Sequence, residues 1–296
     1  CEDLLASSIL RVSIWMMTLT SLIFNCFSIY LYKKSHVVKA HDWMVSVLNL
    51  CDIPLGIYLL IIAITDVRLR GVFVGLKTSW TNSIACKLAS ALSLFSLLSS
   101  AYMLCLITFA RYSIVQNPLK SIFKSIKTVY KFSFAGFITC ILIVTVVSVG
   151  YYYYEENNEA PNALCLLLTG TTNSFTLNIV SGLVASIQIW SLVFILSSYY
   201  FLIKAIKHSE KSVKSCRKRN KHLTEITSRI LLVTMTNILC WFPSSIVYLL
   251  SLSHYPVSPK VLSWVTVFVL PINSAINPVI SVLTRQNVKK FFSKQL

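Results

Sequence analysis

The chain of 296 residues is 55% hydrophobic and only 12% charged, and it carries a formal net charge of +17. Soluble domains contain about 25% charged residues, so this composition excludes an ordinary soluble protein and indicates a membrane protein. The net positive charge would also suit a nucleic-acid-binding protein, and the distribution of that charge along the chain decides between the two interpretations.

Seven stretches are long enough to cross a bilayer as helices, which takes about 20 apolar residues each. The shorter alternating segments of a membrane β-barrel are not seen. We therefore predict an all-α fold, a seven-transmembrane helix bundle, over residues 1–284. The predicted spans are Leu10–Leu31, Met44–Ile64, Leu88–Val115, Val129–Val149, Leu177–Ile203, Ile226–Leu252 and Val261–Leu283.

Lysine and arginine are concentrated on one side of the predicted bundle. With the N-terminus outside, 21 of the 27 basic residues fall in cytoplasmic segments. Basic residues retained in the cytoplasm fix the orientation of a membrane protein and attract anionic inner-leaflet lipid. We expect a multi-pass plasma-membrane protein that contacts membrane lipid and binds no nucleic acid. A specific acidic partner at the third cytoplasmic loop is the alternative.

The two ends of the chain suggest further parts. The sequence begins on Cys1 and enters the first span at once, so we expect an ectodomain that lies upstream and is absent from this chain. Residues 285–296 pair Val288, Phe291 and Phe292 with basic residues. This pattern predicts a short amphipathic juxtamembrane helix on the inner membrane face.

Asp52 is the only acidic residue at mid-depth in any predicted span. Burying a charge there costs at least about 2.5–3.5 kcal/mol, so Asp52 needs polar partners inside the bundle. Oxygen ligands of this kind suit a sodium ion with water, and we expect no other cofactor. The alternative is a hydrogen-bonded cluster that only packs the helices. The predicted sodium ligands are Asp52, Ser100, Asn273 and Asn277, with Asn25 and Ser274 as further polar neighbours.

Two of the nine cysteines, Cys86 and Cys165, fall on the predicted exterior side outside the spans. An oxidising compartment permits a disulfide between them, and we predict that this bridge pins the longest exterior loop over the bundle. Five cysteines in the spans and Cys216 in the cytosol are predicted to be packing residues. Cys1 is left over, and an odd exterior cysteine suggests a partner elsewhere.

Arg111 lies in the run LITFARYSIVQNPL, at the inner end of the third span. An arginine at this depth is often an anchor that reaches the headgroups. Because the polar pocket around Asp52 lies above it, we predict instead that Arg111 alternates between partners in the bundle and a docked protein.

Two proline bends are predicted in the last two spans. The sixth span carries CWFPSS, with Trp241 and Pro243, and the seventh carries PINSAINPVIS, with Asn277 and Pro278. Proline removes a backbone donor and frees carbonyl groups, which neighbouring polar side chains can bind. Two bends beside one buried acid predict a conformational switch.

Taken together, these residues resemble the rhodopsin-like (class A) G-protein-coupled receptors over nearly the whole chain. The runs CEDLLASSILRVSIW, GIYLLIIAITD and SWVTVFVLPINSAINP resemble the leucine-rich-repeat-containing hormone receptors, and the relaxin receptors in particular. The matching motif residues are Asn25, Asp52, Cys86 with Cys165, Arg111-Tyr112, Cys240-Trp241-x-Pro243 and Asn277-Pro278.

The resemblance implies a transmembrane signalling receptor and not an enzyme. It implies an upstream leucine-rich-repeat ectodomain that captures a peptide or protein hormone, with Cys1 bonded to the hinge and Trp80 among the relay contacts. It also implies coupling to a cytoplasmic heterotrimeric G protein through Arg111, Tyr112 and Pro118. The switch residues that it implies are Trp241, Pro243, Asn277, Pro278 and Tyr199.

The chain departs from the family pattern at the switch. Ala110 replaces the usual acid before Arg111, and Leu223 stands where related hormone receptors carry an acid. We therefore expect Arg111 to lack its usual restraints and basal activity to be raised. Ser281 replaces a tyrosine that bridges to Tyr199 in active receptors. The alternative function is a weakly coupled or decoy receptor of the same fold.

Other classes of membrane protein fit less well. A channel or transporter would carry several intramembrane charges or matched repeats. A retinal-binding sensor needs a lysine in the seventh span, and Val261–Leu283 contains none. An intramembrane enzyme needs a nucleophile paired with a carboxylate or histidine, and no predicted span offers such a pair.

Overall fold

Every regular element in the described part of the chain is helical, which confirms the predicted all-α fold. The computed structural model describes residues 3–5, 7–34, 40–116, 120–155, 163–166, 175–212, 235–236, 239–240, 242–247, 249–250 and 258–283. The helices are α1 (Ser8–Lys33), α2 (Ala40–Arg68), α3 (Phe73–Thr81), α4 (Ile84–Gln116), α5 (Ile126–Glu155), α6 (Phe175–Ser212), α7 (Pro259–Trp264) and α8 (Leu270–Leu283), with a π-helical turn at Val265–Val269 joining the last two.

Six helical runs in these ranges are long and apolar enough to cross a membrane. They lie in α1, α2, α4, α5, α6 and the continuous run from α7 to α8, and they match six of the predicted spans. Of the remaining predicted span, Ile226–Leu252, residues 235–236, 239–240, 242–247 and 249–250 are described, and all are helical. The architecture agrees with a seven-helix bundle.

Helix α1 has one exposed apolar face and one buried face that carries polar residues. Ser7 caps the helix, its hydroxyl accepting from the Leu10 backbone N–H at 3.3 Å. One face is apolar and exposed, as expected for contact with lipid, and the other buries its polar residues inside the bundle. The exposed residues are Ile9, Val12, Met16, Leu19, Ile23 and Phe27, and the buried ones are Leu10, Ile14, Thr18, Ser21, Asn25 and Ser28.

Helices α2 and α4 form the centre of the bundle. Helix α2 packs against α1, α4 and α8, while α4 packs against α2, α5 and α6. Close packing of α4 on α5 depends on Gly136, because a Cβ atom there would lie 2.0 Å from Cε1 of Tyr102. This arrangement places side chains from four helices around Asp52 on α2.

Three features of the fold differ from the sequence predictions. Helix α5 continues to Glu155, through the tyrosines expected to lie in a loop beyond Val149. The connection between α2 and α4 contains the helix α3, so Trp80 lies on a helix and not in a loop. Helix α8 continues through Pro278, and the π-helical turn at Val265–Val269 lies about 2.5 to 3.6 turns before it. The predicted helix 285–296 is outside the described residues.

Candidate functional site

One end of the bundle carries the Cys86–Cys165 bridge and is called the disulfide end below. The predicted bridge forms, with its Cα atoms 5.4 Å apart. Both cysteines are buried, and Leu164 and Leu166 enter the core beside them. The loop 163–166 therefore fills the mouth of the bundle rather than lying above it.

Two aromatic side chains hold this loop by its backbone carbonyls. Trp80 on α3 donates from Nε1 to the Ala163 carbonyl at 2.9 Å. Tyr58 on α2 donates its hydroxyl proton to the Leu164 carbonyl, also at 2.9 Å. Both rings are buried, so water competes little for these bonds. The candidate relay residue Trp80 thus contacts the loop directly, whereas the other one, Cys1, is not among the described residues.

The segment 3–5, which precedes α1, is attached to the same end of the bundle. Leu4 and Leu5 are buried in the core formed by α1, α2 and the loop. The Leu5 backbone N–H donates to Asp66 Oδ1 at 2.9 Å. Asp3 accepts a hydrogen bond from the Gly71 backbone N–H at 2.6 Å. Gly71 has a φ of 76°, which favours glycine at this turn.

Arg11 completes this attachment and links both acids. Its Nε donates to Asp66 Oδ2 at 3.2 Å, while its Nη2 donates to the Leu5 carbonyl at 3.1 Å and to the Asp3 carboxylate. Asp66 is 3% exposed, so the Arg11–Asp66 ion pair is shielded on one side. The Gly71 N–H and the Arg11 guanidinium hold the pKa of Asp3 below its usual value.

Asp52 lies in the middle of the bundle with partners from neighbouring helices. Its side chain is buried, and Ser100 on α4 donates to Oδ1 at 2.6 Å. Asn277 on α8 lies beside the same carboxyl. One turn away, Ser96 donates to the Cys51 carbonyl at 2.6 Å, so α2 and α4 are joined twice at this depth. Asp52 faces the interior and not the lipid.

Two serines and an asparagine join α1 to α8 around the same acid. The hydroxyl oxygens of Ser21 and Ser274 are 2.7 Å apart, and Ser274 also donates to the Asp52 carbonyl at 3.2 Å. Asn25 donates to the Ser21 carbonyl at 2.8 Å and to the Ser274 carbonyl at 3.0 Å. Asn25 and Ser274 therefore hold the backbone of the cluster together, and neither amide nor hydroxyl is bound to the Asp52 carboxylate.

The cluster contains buried acceptor atoms to which no described residue donates a hydrogen bond. Asn277 donates to Asn273 Oδ1 at 2.8 Å. The Oδ2 atom of Asp52 and the Oδ1 atom of Asn277 are buried and have no hydrogen-bond partner within the described residues. Buried acceptors without donors are uncommon in folded proteins. A carboxylate oxygen and an amide oxygen that are both buried and unpaired in this way suit a hard cation or an ordered water.

The predicted bends lie near this cluster. The Cys240 thiol donates to the Leu270 carbonyl at 3.3 Å. This bond joins the sixth span to the residue that follows the π-helical turn. A π-helical turn leaves local backbone groups free to pair in this way. Pro243 lies in a helical stretch and Pro278 is buried in α8. Trp241 is outside the described part of the chain.

The opposite end of the bundle, called the arginine end, carries Arg111. Its Nη2 atom lies 2.5 Å from Nε2 of His41, at the start of α2. The neighbouring Ala110 is fully buried. Arg111 therefore has a contact from another helix that the sequence did not predict. The absence of its usual restraints and the raised basal activity stay predictions. Pro118 is not described.

The remaining residues predicted at this end pack against α6. The Tyr112 ring lies 6.4 Å from that of Phe201, and Gln116 donates to the Tyr112 hydroxyl at 3.1 Å. Tyr199 packs against the buried Leu202. The side chain of Ser281 is outside the described part, so its missing bridge to Tyr199 stays a prediction.

Sequence reasoning missed Asp66, Arg11 and His41 as site residues. Asp66 ends the run GIYLLIIAITD, and Arg11 lies near the start of the first span, so both were visible only as boundary charges. His41 is separated from Arg111 by 70 residues, and no local spacing links them. A search for charges of opposite sign at the same predicted depth would have paired Arg11 with Asp66.

Comparison with known proteins gives one consistent result. A family model described as "7 transmembrane receptor (rhodopsin family)" matches residues 23–280. The G-protein coupled receptor GRL101 of Lymnaea stagnalis is 30% identical over 96% of this chain and 25% of its own length. Relaxin receptor 1 of Mus musculus is 29% identical over 98% of the chain and 38% of its own length. The thyrotropin receptor of Felis catus is 23% identical over 94% of the chain and 35% of its own length.

Proposed function

The chain belongs to the rhodopsin family of seven-transmembrane receptors, and from that premise we propose that it relays hormone binding to a heterotrimeric G protein. It spans only a quarter to two fifths of the relatives compared above. The hormone-binding part is therefore proposed to be an ectodomain upstream of Cys1, of the leucine-rich-repeat type. The relatives' names support a peptide or protein hormone as the ligand.

The attachment of segment 3–5 supports this proposal most directly. It joins segment 3–5 to α1, α2 and the turn before α3 through Arg11 and Asp66. A chain from the proposed ectodomain would arrive at this attachment. Leu164 and Leu166 belong to the same buried cluster as Leu4 and Leu5. A signal carried by the attached chain would therefore reach the loop 163–166 through direct packing.

The orientation follows from the same proposal. The disulfide end would face the exterior, where oxidation is possible, and the arginine end would face the cytoplasm at the plasma membrane. The clustering of basic residues toward the arginine end supports this direction. A G protein would then dock at Arg111 and Tyr112. Members of this family are receptors rather than enzymes.

A sodium ion is proposed for the central cluster. The oxygen atoms that fit it are Asp52 Oδ2 and Asn277 Oδ1, with the Ser100 hydroxyl and Asn273 nearby. When bound, the ion would neutralise the buried carboxylate and hold α2 to α8. Loss of the ion would free these helices to shift, which suits a two-state receptor. Water in the same place is the competing occupant.

The weakly coupled or decoy receptor is the less favoured alternative, because the chain is similar to signalling receptors along almost its whole length. The test is Arg111→Ala in the full-length receptor, with basal and relaxin-stimulated or thyrotropin-stimulated activation measured by sensors for each Gα class. We expect the signal to be abolished, while Lys120→Ala, an exposed basic residue beyond α4, leaves it intact. Unchanged output from the Arg111 variant at equal surface expression would contradict a coupling role.

A further inference from the structure

The contact between Arg111 and His41 joins α4 to α2 at the arginine end. Nη2 of Arg111 lies 2.5 Å from Nε2 and 3.4 Å from Nδ1 of the histidine ring, so Nε2 is the bonded atom. Both side chains are partly buried. The contact spans 70 residues of sequence, so it is a tertiary feature and not a consequence of helix geometry.

The chemistry of the two groups fixes the direction of this hydrogen bond. A guanidinium group can only donate, so the imidazole Nε2 must accept. The ring is then neutral, with its proton on Nδ1. A neutral nitrogen holds a cation less strongly than a carboxylate does, because it carries no net charge to attract the guanidinium. The contact is therefore a restraint that a docking protein can displace.

We infer that His41 is a positioning residue that holds Arg111 against α2 in the resting receptor. The neighbouring Ala110 carries no carboxylate that could form this contact. This inference rests on the proposed function where it concerns G-protein coupling, whereas the contact itself does not depend on that function.

The position of the contact along α2 and α4 supports this role. The same two helices are joined at mid-depth by Ser100 to Asp52 and by Ser96 to the Cys51 carbonyl, each at 2.6 Å. Of these three contacts between α2 and α4, the contact with His41 lies nearest the arginine end. A protein that docks there and binds the guanidinium would break this contact first and leave the two deeper hydrogen bonds in place. The inner ends of α2 and α4 are then held by the apolar cluster that contains Met44, Ile107 and Ala110.

The first experiment varies only the acceptor strength at position 41 in the full-length receptor. His41→Glu gives a charged acceptor, His41→Gln a neutral one, His41→Ala none, and His41→Lys a repelling cation. We expect basal G-protein activation to rise in that order, with His41→Gln close to the wild type. His41→Ala should raise it about tenfold, as expected for the loss of one hydrogen bond to a charged group. Arg111→Ala should silence each variant.

The second experiment tests the contact between Arg111 and His41 in the absence of a G protein. The melting temperature, Tm, of the purified receptor is measured for His41→Ala, Arg111→Ala and the double variant. The two single shifts should not add, because both remove the same bond. Ser113→Ala is the matched control on α4, since its hydroxyl contacts Ser121 at 3.1 Å instead, and its shift should add to that of His41→Ala.

The outcomes distinguish the restraint of Arg111 by His41 from the proposed coupling to a G protein. Non-additive Tm shifts together with graded basal activity support both. Non-additive shifts with flat sensors in every variant, wild type included, establish the contact and overturn the proposed function. Additive shifts, or a His41→Ala variant with wild-type basal activity while Arg111→Ala loses its signal, overturn the restraint by His41.

Discussion

Arg11 on α1 and Asp66 on α2 form an ion pair, with Nε of the arginine 3.2 Å from Oδ2 of the aspartate. The same arginine binds Asp3 and the Leu5 carbonyl, so one side chain fixes the segment before α1 to the disulfide end. Segment 3–5 is therefore tied to α1, α2 and the turn before α3.

The Arg11–Asp66 pair should stabilise the bundle by about 2 kcal/mol, the usual size for a partly buried hydrogen bond between charged groups. Asp66→Asn and Arg11→Gln should each lower Tm by a few degrees, and the double variant should lower it little further. Asp42→Asn is the control on the same helix, since Asp42 forms no ion pair within the described residues. Fully additive shifts would show that the pair is not coupled.

The Asp3 contact should weaken at acidic pH. Its pKa is below the ordinary 3.8, because the Gly71 N–H and the Arg11 guanidinium favour the charged carboxylate. A group whose pKa is lowered by folding stabilises the protein above its unfolded pKa, and that stability is lost as pH falls through the folded pKa. The Tm difference between the wild type and Asp3→Asn should therefore hold from pH 7 to about pH 4 and shrink below it. A constant difference down to pH 3 would argue against this titration.

The loop 163–166 should depend on its two aromatic donors. Tyr58→Phe keeps the ring and Trp80→Phe keeps a smaller aromatic ring, and each removes one hydrogen bond to the loop, which is worth about 1 kcal/mol. The buried Cys86–Cys165 bridge should then be reduced about fivefold faster by a water-soluble phosphine, because the loop opens more often. Trp190→Phe, at a ring that is 72% exposed, is the control. Equal reduction rates in all variants would mean that these bonds do not hold the loop.

Sodium should stabilise the receptor through Asp52. Replacing choline chloride by sodium chloride should raise Tm. At a sodium concentration ten times the dissociation constant, the free energy of unfolding should increase by about 1.4 kcal/mol. Asp52→Asn should lose this response. Ser99→Ala should keep it, because its hydroxyl donates to the Phe95 and Ser96 carbonyls of its own helix. If Asp52→Asn responds to sodium as the wild type does, water is the better assignment for the pocket.

Gly136 should tolerate no side chain. Gly136→Ala places a methyl group 2.0 Å from the Tyr102 ring and should destabilise the bundle by about 1–3 kcal/mol or more. Gly150→Ala is the matched control on the same helix, since nothing lies within 4 Å of its Cβ position, and it should be neutral or slightly stabilising. Adding Tyr102→Ala should recover part of the loss at Gly136. No recovery in that double variant would place the strain elsewhere.

Most of the architecture could be read from the sequence, because hydrocarbon imposes a simple rule on every span. Twenty apolar residues must form a helix that satisfies its own backbone. The same rule made Asp52 conspicuous, since a carboxylate in that solvent demands polar neighbours. The bridge between Cys86 and Cys165 was predictable because both cysteines lie outside the spans on one side.

The other features were hidden from the sequence because they depend on which helix faces which at a given depth. Periodicity did not distinguish the π-helical turn at Val265–Val269 from regular helix, and the run of tyrosines after Val149 has no signal that ends a helix there. Trp80 was expected in the relay, but its bond to the Ala163 carbonyl requires the loop to enter the bundle.

The amino-acid sequence by itself determined that the chain crosses a membrane as helices, where its acid is buried and which cysteines pair, because burial in hydrocarbon acts on each residue separately. Only the tertiary structure decided that Arg111 meets His41 and that Arg11 meets Asp66. Such contacts depend on the relative rotation and depth of two helices, which is set by packing over the whole bundle. No single segment carries that information.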